Sequence, residues 1–214
     1  DIGTSPLYVF EAIGGVLHEI SRETVFGGIS CIFWTLTLQT TVKYIIITLR
    51  ADNKGEGGIF ALFALIRRRY RWAYIIAILG GSTLLADGII TPAITVTSAI
   101  EGLTMINPRI PILLIVVIIL SLLFFIQQFG TEFIGKSFGP LMLIWFLVLA
   151  AIGSYHAFQY PEIFQAVSPL YAIRLLSKYP GGFFVLGAVF LATTGAEALY
   201  SDLGHCGLKN IRVS

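Results

Sequence analysis

Three carboxylates, Asp87, Glu101 and Glu197, stand inside stretches that are otherwise apolar, and a fourth, Asp1, opens another such stretch. An ionisable group at membrane depth costs about 2.5 to 3.5 kcal/mol, so it normally faces a cavity or a partner and marks an ion or proton path. That expectation applies to Asp87 and Glu197. Glu101, nearer the end of its stretch, equally suits a headgroup-facing position. On a helix, Thr83, Thr91 and Thr95 fall at four-residue steps around Asp87 and share its face, followed by Ser98 and Glu101. Pro92 lacks the amide that would bond the carbonyl of Gly88, which leaves a backbone oxygen beside the carboxylate. Each threonine could instead bond its own preceding turn. Their common register with an acid favours an oxygen-rich stripe.

Two segments repeat a pattern: Gly3-Thr4-Ser5-Pro6-Leu7-Tyr8 and Gly195-Ala196-Glu197-Ala198-Leu199-Tyr200 both read Gly-x-x-x-Leu-Tyr, each beside an acid. Glycine or proline interruptions at corresponding places in two halves are the mark of discontinuous helices that build a midplane site. Unwound carbonyls, hydroxyls and carboxylates make an all-oxygen set, which suits a hard cation and not a transition metal. Several neutral oxygens with few formal charges favour a large monovalent ion. Potassium fits, and sodium remains open on this chemistry.

The elements that must position these groups follow from composition. Of 214 residues, 56% are hydrophobic and only 12% charged, against about 25% charged in a soluble domain. Residues 24–42, 110–131, 137–161 and 179–196 contain no Asp, Glu, Lys or Arg, and a spanning helix needs about 17 to 25 mainly apolar residues. The pattern predicts an all-α, polytopic membrane protein. Its spans are expected from Ser5 toward His18, over Thr24 to Leu49, Trp72 to Leu103, Ile112 to Phe129, Pro140 to Tyr155, and from Phe183 to a break at Thr193-Thr194-Gly195-Ala196-Glu197. A short inner loop carrying Glu132 and Lys136 is expected before the fifth span, and a long polar loop over Gln159 to Gly182 after it. Lys43 and Arg50 are read as side chains reaching toward headgroups. Ile59 to Ile66 is read as an amphipathic helix against the membrane.

Arg50, Lys54, Arg67, Arg68, Arg69 and Arg71 are six of the 14 basic residues and place their connection in the cytoplasm. With six crossings, both ends of the chain are then cytoplasmic. The glycines of Lys54-Gly55-Glu56-Gly57-Gly58 are read as a turn, because no strand precedes them as a phosphate loop requires. A net charge of +2 without a basic face excludes a nucleic-acid partner. Cys31 and Cys206 match no disulfide or zinc spacing. His18, His156 and His205 sit near span ends, Trp34, Trp72 and Trp145 suit packing and interface belts, and no nucleophile-and-base arrangement supports an enzyme. A first residue that is not Met reads as an excerpt from a longer protein.

Asp1 to Tyr8, Lys54 to Gly58, Ala86-Asp87-Gly88-Ile89-Ile90-Thr91-Pro92-Ala93-Ile94 and Thr194 to His205 closely resemble the signature segments of the KUP/HAK/KT potassium transporters. The resemblance runs the whole length. It implies a LeuT-like, five-plus-five inverted-repeat fold of the APC superfamily, with residues 1–214 as the N-terminal part of the transmembrane domain, spans one to six. It further implies proton-coupled potassium uptake across the plasma membrane, the inner membrane in a bacterium. A homodimer, a cytoplasmic C-terminal domain with a possible nucleotide regulator, and no organic cofactor belong to the same implication. Carried over by motif, Asp1, Tyr8, Asp87, Thr91, Thr95 and Thr194 correspond to potassium-binding positions and Glu197 to proton coupling. Some family members carry glutamate at the third-span acid. The rival readings are a sodium-coupled or amino-acid transporter of the same fold, a potassium channel subunit, which lacks its filter sequence here, and a membrane-embedded enzyme.

Overall fold

The computed structural model describes residues 5–17, 21–128, 131–178 and 182–213, and it is helical throughout apart from short turns. Helix α1 spans Ser5–Leu17. Helix α2, Arg22–Leu36, opens on a reciprocal cap: the Ser21 hydroxyl accepts from the Thr24 amide at 3.2 Å, and the Thr24 hydroxyl accepts from the Ser21 amide at 2.8 Å. It continues without interruption into a π-helical stretch, Thr37–Ile47, and a last tight turn, Thr48–Arg50. The β-branched run Thr40-Thr41-Val42 followed by Ile45-Ile46-Ile47 crowds an α turn. The Thr48 amide accordingly reaches the carbonyl of Lys43, five residues back, and its hydroxyl donates to the same oxygen at 2.6 Å.

The expected turn follows. Asn53 and Glu56 exchange backbone hydrogen bonds of 2.9 and 3.1 Å, with Lys54 at φ 58° and Gly55 at φ 87° between them. Two successive left-handed residues define a primed turn, which glycine enters without steric cost. Helix α3, Ile59–Ile66, then docks on α4, Ala73–Glu101. Ile59 and Phe60 press on Gly80 and Gly81, where side chains would block the approach. The helix expected against the membrane thus also has a protein partner: Ala61 is buried, while Phe60, Leu65 and Ile66 remain exposed. Helix α4 carries Pro92 within it.

Helix α5, Ile112–Gln127, packs back along α4. Helix α6, Thr131–Gln159, takes in the segment around Glu132 and Lys136 that was expected to be a loop. Gly135, Gly139 and Pro140 are accommodated within the helix, as membrane helices allow. A tight-turned stretch Pro161–Val167, helix α7 (Pro169–Lys178) and helix α8 (Gly182–Phe190) follow, then short helices α9 (Ala198–Ser201), α10 (Leu203–Cys206) and α11 (Leu208–Val213). Four segments are long and apolar enough to cross a membrane: Arg22–Arg50, Ala73–Met105, Phe138–Gln159 and Gly182–Ser201. At 16 residues, α5 covers about 24 Å, less than the roughly 30 Å hydrocarbon core. The described part of α1 is shorter still, so length alone supports four of the six expected spans.

Two apolar clusters tie the ends of this bundle. Tyr8, Val9 and Ile13 of α1 pack with Cys31, Leu175 and Val185, Ala188 and Val189 of α8. Leu49, Tyr200, Leu203 and Ile211 form the other. Toward the first, α7 and the residues just before it lie along α2: Ser30 Oγ donates to the Ser168 carbonyl at 2.8 Å, Trp34 Nε1 to the Val167 carbonyl at 2.9 Å, and Lys178 pairs with Glu23 at 2.9 Å. At the second, the Tyr200 hydroxyl donates to the carbonyl of Ala51. The residue 161–178 segment and the basic connection therefore sit at opposite ends of α2.

Candidate ion site

Helix α8 ends where the sequence predicts a break. One tight turn, Leu191–Thr193, leads to Thr194, whose ψ of 129° leaves the helical region, and to Gly195 at φ 90°. Helix resumes only at Ala198. Among the described residues, no backbone N–H donates to the carbonyls of Ala192 or Thr194. Glycine makes the interruption possible, since a side chain at that φ would be strained.

A cavity of 480 Å³ opens beside the break. Thr194 and Glu197 line it from one side, and Asp87 with Thr83 and Gly80 of α4 from another. Asp87 is the middle residue of the 29-residue α4, which puts its carboxylate at mid-depth of the helix. The C-terminal part of the α2 rod supplies Gln39, Lys43, Tyr44 and Thr48, and Gly58, Ile59 and Leu62 also line the cavity. Oxygen atoms on three sides suit a desolvated cation, with the two carboxylates supplying the negative charge.

The other expected site residues fall differently. Thr91 donates its hydroxyl to Asp87 Oδ1 at 2.8 Å, so it orients the carboxylate but does not line the cavity. Thr83 bonds the Gly80 carbonyl at 2.9 Å, its own preceding turn. Thr95 lies one turn beyond Thr91 and outside the cavity lining. Tyr8 is buried between α1 and α8, its hydroxyl 2.9 Å from Ser5 Oγ, and likewise lies outside that lining. Glu101 is exposed at the end of α4, as a headgroup-facing acid would be. Asp1 lies outside the described residues.

Sequence reasoning missed the contribution of α2. Gln39 carries no sequence signal, yet it lines the cavity; Lys43, exposed as a side chain reaching toward headgroups would be, borders the cavity as well.

The turn after α2 seals against the region just past the break. The Gly57 backbone meets the Tyr200 carbonyl so closely that no Cβ fits there, and Gly204 meets the Glu56 carboxylate. Gly57→Ala is expected to lower stability by about 1–3 kcal/mol, the usual cost of forcing extra atoms into a filled contact. A thermal unfolding series on the full-length protein checks this. Gly153→Ala, which meets nothing within 4 Å, serves as the unchanged control.

A broken helix and a mid-helix carboxylate on one cavity, within long apolar helices, define an integral membrane protein of the all-helical class. The family profile described as K+ potassium transporter integral membrane domain matches residues 1–214, and the chain belongs to that family. Among curated relatives, a protein named "Probable potassium transport system protein Kup" from Flavobacterium johnsoniae is 60% identical over 218 residues, covering 100% of this chain and 33% of its own length. Proteins of the same name from Flavobacterium psychrophilum and Clostridium perfringens are 61% and 57% identical, over 100% and 99% of this chain and 33% and 34% of theirs. The chain thus spans about a third of the length of these relatives. No solved structure matches it significantly.

Proposed function

We propose that the protein carries potassium into the cytoplasm by proton symport, through alternating access on a five-plus-five inverted-repeat scaffold. The observation that carries this reading is the shared cavity: the interrupted helix, with Thr194 and Glu197, and Asp87 of α4 line one and the same space. In it, Asp87 and Thr194 bind the ion, Thr91 holds Asp87 in place through its 2.8 Å hydrogen bond, and Glu197 carries the proton. Asp1, Tyr8 and Thr95 are the further potassium ligands that the motif resemblance assigns. The names of the relatives support potassium as the cargo.

The basic connection at the far end of α2 from α7 supports an orientation with that end cytoplasmic. Both ends of the chain are then cytoplasmic, in the plasma membrane or a bacterial inner membrane. A homodimer and a nucleotide-responsive cytoplasmic domain are properties proposed for the complete protein from the same resemblance.

The test is rubidium uptake by the full-length protein in proteoliposomes at clamped voltage, with and without an inward proton gradient. Accumulation that follows the gradient and is competed by potassium is expected. Uptake indifferent to potassium and driven by sodium or an amino acid overturns the reading, as does flux at channel rates without proton dependence.

A further inference from the structure

Among the described residues that line the cavity, Lys43 is the cation. Gln39 and Lys43, four positions apart, share a helix face. Gln39, Lys43, Tyr44 and Thr48 all line the cavity, yet at about 100° per residue an α-helix would put Gln39 and Thr48, nine positions apart, on opposite sides. With about 4.4 residues per turn, a π-helix returns to the same side after nine residues. The π-helical stretch covers Thr37–Ile47, and the widened register brings Thr48 to the side that Gln39 and Lys43 share.

The ammonium is not paired with those acids. Lys43 Nζ lies 4.8 Å from the centroid of the Tyr44 ring, a cation–π contact, and among the described residues no carboxylate comes within ion-pair distance of it. Lys43 is exposed at the rim of the cavity, where a compact charge on a flexible four-carbon stem rests on the Tyr44 ring beside the space that Asp87 and Glu197 line.

We propose that Lys43 is a tethered cation that alternates with the transported one. When the ion has left, the ammonium moves from the Tyr44 ring to the carboxylates of Asp87 and Glu197. When an ion enters, the ammonium returns to the ring. The physical reason is charge balance: two carboxylates facing one cavity without a cation repel each other, the more so as the cavity closes and water leaves it, so an empty carrier must be neutralised before it can close and reorient. A tethered charge does this without being transported. Lys43 is thereby a positioning residue for the return of the empty carrier, and the inference rests on the cavity being the potassium site.

That role separates two fluxes. Exchange of external rubidium for internal potassium needs only the loaded carrier, whereas net uptake requires the empty carrier to return. In the full-length protein in proteoliposomes, Lys43→Met is expected to cut net uptake about tenfold, to leave exchange within about twofold, and to tighten rubidium binding several-fold because its competitor is gone. Lys43→Arg, which keeps the charge, is expected to recover part of the net uptake. Lys43→Gln is expected to repeat the split and serves as the test if the methionine variant does not fold. Net uptake and exchange that fall in parallel, or binding that weakens, overturn the inference. Failure of the underlying reading looks different: wild-type protein that binds no rubidium, or Asp87→Asn protein that binds it as tightly as wild type.

Discussion

Glu197→Gln is expected to reduce potassium-driven proton influx into proteoliposomes to the level of protein-free vesicles, a loss of at least about tenfold. Glutamine keeps the size of the side chain and an oxygen that can face the cavity, but it cannot take up and release a proton. Rubidium binding is therefore expected to persist within a few-fold while coupling disappears. The position makes this a sharp experiment, because Glu197 stands just past the unwound turn at Gly195 and lines the cavity beside Thr194. Proton influx that survives the substitution unchanged would move the proton-carrying role to Asp87 or to a group beyond these residues.

Asp87→Asn is expected to weaken rubidium binding 10- to 100-fold, about 1.4 to 2.8 kcal/mol. A unit charge at 4 Å contributes about 4 kcal/mol at an effective dielectric near 20, and the retained amide oxygen and entering water recover part of that. Thr91→Val should have the same sign and a smaller size, since it removes the 2.8 Å hydrogen bond but leaves the charge. Measured by rubidium displacement on purified full-length protein, an Asp87→Asn constant within twofold of wild type would exclude Asp87 as a ligand.

Much of this arrangement could be read before any coordinates. Asp87 and Glu197 stand out because apolar surroundings make an acid conspicuous. The break after α8 is legible in Thr194-Gly195, since glycine is the residue that takes the φ of 90° observed there, and the turn at Asn53–Glu56 is legible in Lys54-Gly55. The Asp87 stripe was only partly correct. Four-residue spacing does bring the Thr91 hydroxyl to the carboxylate, but Thr83 bonds the preceding turn and Thr95 lies beyond the cavity lining. Periodicity gives the face of a helix and not how far along that face the cavity extends. Tyr8 is a similar case: its motif matches the region after Gly195, yet its ring is packed between α1 and α8.

Residue type and local order along the chain by themselves determined that the protein is helical and membrane-embedded, that Asp87 and Glu197 stand within apolar stretches, and where its last long helix breaks. These are properties of short windows, governed by transfer free energy and by the backbone freedom of single residues. The tertiary structure alone decided that α3 docks on Gly80 and Gly81, that Gln39 and Lys43 border the same cavity as Asp87, and that the turn after α2 closes on Tyr200, 149 positions away from its partner Ala51. Such outcomes depend on contacts between distant segments and on a helical register that widens under side-chain crowding, neither of which is written in any one stretch of residues.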